Sequence, residues 1–343
     1  MTIQENISLR PYNTFGIDAI ARFFVEINSV DDLKELISKE LYWEKEVFIL
    51  GGGSNVLLTQ NFNGLVVKMN IPGIEVVEEN ENFVWVRAGA GENWHMFVLH
   101  CIARGYGGVE NLSLIPGTLG AAPMQNIGAY GVEIQDVFEC LEAVNLSDGK
   151  VKQFSHEECQ FGYRESVFKH SLKGKYIITH VTLRLSKQPE VNTTYGAIEE
   201  TLKEMRAQKG YEARTPIEEV SEAVIRIRKS KLPDPLKIGN AGSFFKNPVI
   251  EASKFESLQQ AYPHVPGYQL PDKKVKVPAG WLIEQCGWKG KKVGNTGVHS
   301  QQALVLINHG GAQGNEVRAL AMEIKDSVWE KFDIEISPEV NII

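Results

Sequence analysis

Three stretches of this 343-residue sequence concentrate glycine where chemistry could use it. Gly51-Gly52-Gly53-Ser54-Asn55 follows the apolar run Val47-Phe48-Ile49-Leu50. Consecutive glycines let backbone N–H groups turn toward one point and let a phosphate come close. Gly89-Ala90-Gly91 follows a second apolar run. The third stretch leads from Ile115-Pro116-Gly117-Thr118-Leu119-Gly120-Ala121-Ala122-Pro123 to Gln125-Asn126-Ile127-Gly128-Ala129-Tyr130-Gly131. It is small, apolar and longer than the roughly 12–15 residues of an ordinary loop, a length that points to function. Such backbone can lie against a flat ring and hydrogen-bond its edge. Either of the first two loops alone could be a tight turn; with the third, they suggest an extended ligand carrying phosphates and a ring system. Neither completes the Rossmann fingerprint, because its sixth position is Val56 in one loop and Trp94 in the other. Neither carries the Gly-Lys-Ser/Thr of a Walker loop.

The elements around these loops can be read from caps and periodicity. Residues 21–27 predict a strand. Ser29 and Asp32 form a capping pattern ahead of Leu33, Leu36 and Ile37, so a helix starts there. Residues 47–50 and 65–67 read as buried strands and residues 83–88 as another. A helix is predicted over 94–104, stopped by Gly105. Residues 141–154 read as a hairpin turned at Asp148-Gly149, followed by a second capping box at Ser155 and Glu158. A strand follows over 176–185 and a helix over 217–228. Leu232-Pro233-Asp234-Pro235 ends that helix and marks a boundary. Val317, Leu320, Ala321, Ile324, Val328 and Phe332 recur at helical spacing. The apolar tail Ile334, Ile336, Val340, Ile342 and Ile343 reads as a final strand. Strands and helices mix without strict alternation, which predicts an α+β fold rather than a doubly wound sheet.

Composition narrows the function classes. A net charge of −7 argues against bulk nucleic-acid binding, which uses a basic face. No apolar run approaches the ~20 residues of a membrane helix. The start Met1-Thr2-Ile3-Gln4-Glu5-Asn6 has no basic segment leading into an apolar one, so no signal peptide is expected. Cys101, Cys140, Cys159 and Cys286 form no C-x-x-C pair, which excludes the common zinc and thioredoxin-like patterns and fits a reducing cytoplasm. His95 and His100 lie five apart and do not form an H-x-x-x-H pair, and His156 with Cys159 has no further partner, so these are expected to be structural or surface groups and no metal is expected. No G-x-S-x-G elbow exists for a hydrolase nucleophile. The apolar residues 281–288, with Trp281 and Trp288, suit core packing. The acidic balance and the lack of an exposed apolar stripe favour a monomer.

Several motifs together carry a family resemblance. They are Asn13-Thr14-Phe15-Gly16, the loop at 51–55, the stretch at 116–131, and Phe161-Gly162-Tyr163-Arg164-Glu165-Ser166. Gly239-Asn240-Ala241-Gly242-Ser243-Phe244-Phe245-Lys246-Asn247-Pro248 and Pro338-Glu339-Val340 complete the set. In this order, over nearly the whole chain, they resemble the UDP-N-acetylenolpyruvoylglucosamine reductases, or UDP-N-acetylmuramate dehydrogenases. The resemblance implies an α+β fold with a two-part FAD-binding module of vanillyl-alcohol-oxidase type and an α+β substrate-binding domain. The corresponding segments are 1–69, then 70–230 completed by the terminal strand 333–343, and 231–332 for substrate. Tyr195, in Thr193-Thr194-Tyr195-Gly196, looks like the family's first type, in which a tyrosine loop folds over substrate.

The implied reaction moves hydride from NADPH through non-covalent FAD to C3 of an enolpyruvyl UDP-sugar, in peptidoglycan precursor synthesis in the bacterial cytoplasm. Charge then builds at C2 and in the carboxylate, which calls for a proton donor and for cationic groups. Ser243 matches the family's proton donor, and Lys231 is a candidate for positive field beside it. Arg164 can present a planar fork to the carboxylate, and Glu339 could orient Arg164 or the substrate. Tyr195, Lys231, Asn247 and Gln302 match positions that contact the UDP-sugar. Arg228 matches a basic residue near the flavin or its phosphates. FAD is expected against Gly51, Gly52, Gly53, Ser54, Asn55, Pro116, Gly117, Gly120, Ala121, Gln125, Asn126, Gly128, Ala129, Tyr130 and Gly131.

There are departures. Many relatives have a serine pair at Ala121-Ala122, and many place an arginine where this chain has Asn341. Two other readings make distinct demands. A sugar oxidase of the same fold often tethers FAD through a histidine in its glycine-rich loops, and none of the three stretches contains one. A catalytically silent UDP-sugar binder would keep Tyr195 and Lys231 yet lose Arg164, Ser243 or Glu339.

Overall fold

The computed structural model describes residues 1–212 and 214–343, with the side chains of residues 40 and 41 outside the description. Local signals place the elements. The Ser29 hydroxyl accepts from the Asp32 backbone N–H at 3.0 Å and opens the helix Val30–Ile37. Ser155 and Glu158 close a reciprocal capping box on the helix His156–Cys159. The helix Trp94–Ile102 is two residues shorter than predicted, and Gly105 follows with φ +75°.

The chain folds into two units. The first comprises residues 1–7, 21–52 and 63–230. Its five-stranded sheet is antiparallel, in the order Val151–Ser155, Phe138–Asn145, Tyr176–Ser186, Phe83–Gly89, Ile74–Glu79. Leu141 pairs with Phe154 across the predicted hairpin. Trp94, Phe97, Phe138, Phe154 and Phe168 fill the core on this sheet. A four-stranded sheet runs in the order Ile3–Ser8, Ile20–Ile27, Phe62–Met69, Val47–Leu50, with the last two strands parallel. Leu33 and Leu36 of the helix Val30–Ile37 are buried in the cluster with Val25, Ile27, Leu65 and Val67. Burying each leucine stabilises by about 1.5–3 kcal/mol. The helices Gly196–Arg206 and Pro216–Lys231 share a separate small core of Ile198, Leu202, Met205, Val220, Val224 and Ile227.

The second unit comprises residues 8–20, 53–62 and 231–343. A four-stranded sheet has the order Gly239–Ser243, Val305–Asn308, Thr296–Val298, Lys292–Val293. The helix Gly314–Phe332 packs against its inner strands. Val317, Leu320, Ile324 and Val328 are all buried, as their spacing predicts.

The tail departs from expectation. The resemblance implies that it completes the second FAD-binding segment as a final strand. Instead Asn341 and Ile342 pair in parallel with Val56 and Leu57, and Thr59 closes the ladder by donating from its N–H to the Ile343 carbonyl at 2.7 Å. The strand just after the glycine loop has an open edge, and the tail satisfies those backbone groups. Residues 8–20 and 53–62 therefore group with the C-terminal part rather than with the rest of 1–69.

Candidate active site

In the first unit the glycine-rich stretches converge. A Cβ on Gly52 would lie 2.7 Å from Gly117 Cα, and one on Gly51 would lie 2.8 Å from Thr118 Oγ1. A Cβ on Gly120 would meet that of Ala90 at 2.4 Å. At Gly52 and Gly120 the neighbour includes backbone, which cannot give way to a side chain. The contact is locked by Gly120 N–H to Ala90 O at 3.0 Å, Leu119 N–H to Glu92 O at 2.8 Å and Trp94 N–H to Gly117 O at 3.1 Å. Thr118 Oγ1 is buried and, among the described residues, has no hydrogen-bond partner. Pro116 is exposed at the rim, while Ala121 and Gln125 are partly buried.

Arg164 sits in a tight turn. Gly162 and Glu165 exchange two backbone hydrogen bonds at 3.1 Å, and Arg164 has φ +59°. A non-glycine residue in the left-handed region costs about 1–2 kcal/mol, which surrounding contacts must hold. Lys169 Nζ donates to the Arg164 carbonyl at 3.0 Å. The guanidinium donates from Nη2 to Gly128 O at 2.8 Å. Asn126 is fully buried at φ +43°, and its amide donates to Glu133 Oε2 at 2.8 Å and to Gly162 O at 3.0 Å. Its side chain thus ties the turn to the hairpin Gly128–Ala129/Val132–Glu133. Gly131, at the tip, has φ +80°.

A second cluster of the same unit surrounds Arg228. Its Nε donates to Leu114 O at 3.2 Å, and the Tyr130 hydroxyl is a further partner. Burial pulls the guanidinium below its ordinary pKa and pushes the Tyr130 phenol up, with the Arg228 charge opposing the latter. Tyr195, 47% exposed, meets the Tyr130 ring edge-on at 5.3 Å. Leu114 also has a left-handed φ of +59°, and its N–H donates to His95 Nδ1 at 3.0 Å. His95, which sequence reasoning treats as structural, therefore helps to set the entry to the 115–131 stretch.

Burial, then Arg228 and Lys229, hold the His95 pKa below the ordinary histidine value of 6.5. The unfolded chain takes up this proton first as pH falls. The stability contribution is therefore complete above about 6.5 and is lost as pH drops toward the lower folded-state value. His100, His180 and His299 shift in the same direction. Melting temperatures from pH 8 to 5 should fall below about 6.5, and less steeply in His95→Asn, whose amide oxygen can still accept from Leu114. An unchanged slope in the variant would remove His95 from the account.

The second unit gathers Ser243, Glu339 and Asn55. The strand Gly239–Ser243 breaks register after Asn240, Gly242 adopts φ +68°, and Asn240 Oδ1 accepts from the Gly242 N–H at 3.0 Å. This bulge leaves Ser243 exposed while Phe244 and Phe245 are buried. Residues 337–339 run alongside: Lys246 N–H donates to Ser337 O at 2.9 Å, and Glu339 N–H donates to Phe244 O at 2.8 Å. Asn55 Nδ2 donates to Glu339 O at 3.3 Å, and the N–H and Nδ2 of Asn341 donate to Asn55 O at 3.1 and 3.0 Å. The Asn341 departure is thus a clamp on the glycine loop.

Gly53 of that loop has φ +62° and accepts from the Thr14 N–H at 3.0 Å. Thr14 O in turn accepts from Asn240 N–H at 3.0 Å, and Phe15 O accepts from Asn308 Nδ2 at 2.9 Å. The Asn13-Thr14-Phe15 motif therefore joins the loop to the strand that carries Ser243. Asn247 Oδ1 accepts from Ala279 N–H at 2.9 Å and Gln302 Oε1 from Leu304 N–H at 3.2 Å, which leaves an NH2 group on each for a ligand. Lys231 is exposed at the end of its helix, and among the described residues no hydrogen bond links it to Ser243.

Comparison with known proteins adds to this geometry. Residues 21–155 match the family described as FAD binding domain, and residues 234–343 match UDP-N-acetylenolpyruvoylglucosamine reductase, C-terminal domain. The UDP-N-acetylenolpyruvoylglucosamine reductase of Amoebophilus asiaticus is 52% identical over 343 residues, 100% of each chain. That of Flavobacterium johnsoniae is 49% identical over 344 residues, again 100% of each. The solved structure of UDP-N-acetylenolpyruvylglucosamine reductase from Thermus caldophilus covers 99% of both chains with a TM-score of 0.68 at 23% identity, and shares the fold.

An FAD-binding module joined to an α+β C-terminal domain defines an FAD-dependent oxidoreductase. The donor set suits the cofactor. The partly buried Arg228 has no carboxylate partner among the described residues, which suits a diphosphate. The chain belongs to the UDP-N-acetylenolpyruvoylglucosamine reductase family.

Proposed function

We propose that this chain reduces UDP-N-acetylglucosamine-enolpyruvate to UDP-N-acetylmuramate with NADPH, in the bacterial cytoplasm, as a step in peptidoglycan precursor synthesis. The observation that carries the reading is the backbone hydrogen bond from Glu339 N–H to the carbonyl of Phe244, the residue after Ser243, in a chain alike over its full length to enzymes of that name. Bound FAD supplies the hydride chemistry between NADPH and C3 of the enolpyruvyl group.

The protein's residues hold and protonate the substrate. Ser243 Oγ, exposed on its bulge, delivers the proton to C2. Arg164 presents its guanidinium to the carboxylate as charge develops there. Glu339, fixed through its own backbone, orients the reacting end. Tyr195 closes over the diphosphate, and Lys231 pairs with a phosphate or carboxylate on a flexible stem. The NH2 groups of Asn247 and Gln302 donate to the sugar or uracil. Gly51, Gly52, Gly53, Ser54, Asn55, Pro116, Gly117, Gly120, Ala121, Gln125, Gly128, Ala129, Tyr130 and Gly131 line the flavin, and Arg228 meets an FAD phosphate. Asn126 belongs to the same lining, and its side-chain amide, which donates to Glu133 and Gly162, holds it in place.

An anaerobic visible spectrum tests the reading. The purified protein should be yellow, bleach with NADPH and recover its colour on addition of the enolpyruvyl UDP-sugar. Recovery with oxygen but not with the sugar would favour an oxidase. Colourless protein that cannot be loaded with FAD would sink the proposal.

A further inference from the structure

Arg164 is held by an acidic clamp that the reading above does not use. Glu133 stands directly opposite Gly128 in the small hairpin. Its Oε2 accepts from Asn126 Nδ2 at 2.8 Å and from Gln135 Nε2 at 2.7 Å. Those two amides fix the carboxylate, and its other oxygen lies 3.9 Å from Arg164 Nη1. The same guanidinium donates to two carbonyls of that hairpin, Gly128 O at 2.8 Å and Asn126 O at 3.4 Å. A Cβ on Gly128 would sit 2.7 Å from Glu133 Cγ and 3.2 Å from Arg164 Nη1. The glycine therefore leaves room for both charged groups.

We propose that Glu133 is a positioning residue: its carboxylate, braced by Asn126 and Gln135, sets the direction in which Arg164 presents its guanidinium. This rests on the reading of Arg164 as the group that meets the substrate carboxylate. A planar fork is productive only when its plane is set, and a long arginine side chain in a two-residue turn has too many rotamers to set itself. Two carbonyls and one carboxylate hold the guanidinium, and the Tyr163 ring lies 5.3 Å from its central carbon, so its plane is set by the protein. Glu133 itself touches neither substrate nor flavin in this account.

Glu133→Gln keeps the shape and removes the charge. It should slow reoxidation of the reduced enzyme by the enolpyruvyl UDP-sugar about tenfold, while reduction by NADPH and the FAD dissociation constant stay within about twofold. In an Arg164→Ala background the same change should cost less than about twofold, because the group it acts through is gone. Full additivity, or an unchanged reoxidation rate in E133Q alone, would overturn the proposal. A crystal structure of E133Q gives a readout independent of activity: the guanidinium should leave the Gly128 carbonyl, and its retention there would count against the clamp. If E133Q does not fold, Gln135→Ala removes one brace and should shift the same half-reaction in the same direction; no shift would again overturn it. Wild-type enzyme that the sugar does not reoxidise would defeat the assigned function, leaving the crystallographic test of the clamp intact.

Discussion

Replacing Ser243 by alanine should leave flavin reduction by NADPH intact and slow reoxidation by the enolpyruvyl sugar by about 10²–10⁴-fold, the usual worth of a placed general acid. The expectation rests on how little else the hydroxyl does. Ser243 is exposed, and among the described residues its side chain makes no hydrogen bond. Its neighbours do the structural work: Phe244 and Phe245 are buried, and Phe244 binds Leu304 through its N–H at 2.7 Å and Glu339 through its carbonyl. Stability should therefore change by no more than roughly 0.5 kcal/mol. Stopped-flow measurement of the two half-reactions separates the outcomes. Equal slowing of both would indicate a disturbed flavin site, and reoxidation at the wild-type rate would remove Ser243 as the donor.

The largest loss of stability is expected at Gly53. An alanine Cβ there would lie 1.9 Å from the Tyr12 carbonyl oxygen and 2.8 Å from its carbon, at a φ of +62°. The left-handed conformation alone costs about 1–2 kcal/mol. The clash adds more, because the opposing backbone cannot retreat. Asn13 is buried and donates to Leu9 O at 2.8 Å and Ile17 O at 2.9 Å while accepting from Ile17 N–H at 3.0 Å. Together these should exceed about 4 kcal/mol, with a fall in melting temperature of roughly 10 °C and a loss of bound FAD. Gly16→Ala is the matched control, with φ +66° and nothing within 4 Å of the added atom. Calorimetry and the flavin absorbance per chain would decide. A Gly53→Ala protein no worse than Gly16→Ala would mean that the loop relaxes and that its glycine answers only a conformational demand.

Local signals in the sequence determined much of this protein. The caps at Ser29 and Ser155, the spacing of Val317, Leu320, Ile324 and Val328, and the turn at Gly149 depend on residues within a few positions of each other. The motifs around Gly51, Gly120, Arg164 and Ser243 carried the family, because they recur together and in order along nearly the whole chain. Tertiary structure alone decided who holds whom. The tail binds residues 284 positions away, and no periodicity records an edge left open by a distant strand. The sequence offered the same fifteen residues as flavin lining. Folding packed Gly52 against Gly117 and Gly53 against Tyr12, turned the Asn126 side chain onto Glu133 and Gly162, and left at Gly128 the space that two charged side chains share. Glu133 carries only the local signal of a capping box with Asp136 and His95 none; a carboxylate in a hairpin and a histidine on a helix become informative for the site when packing brings Arg164 and Leu114 to them.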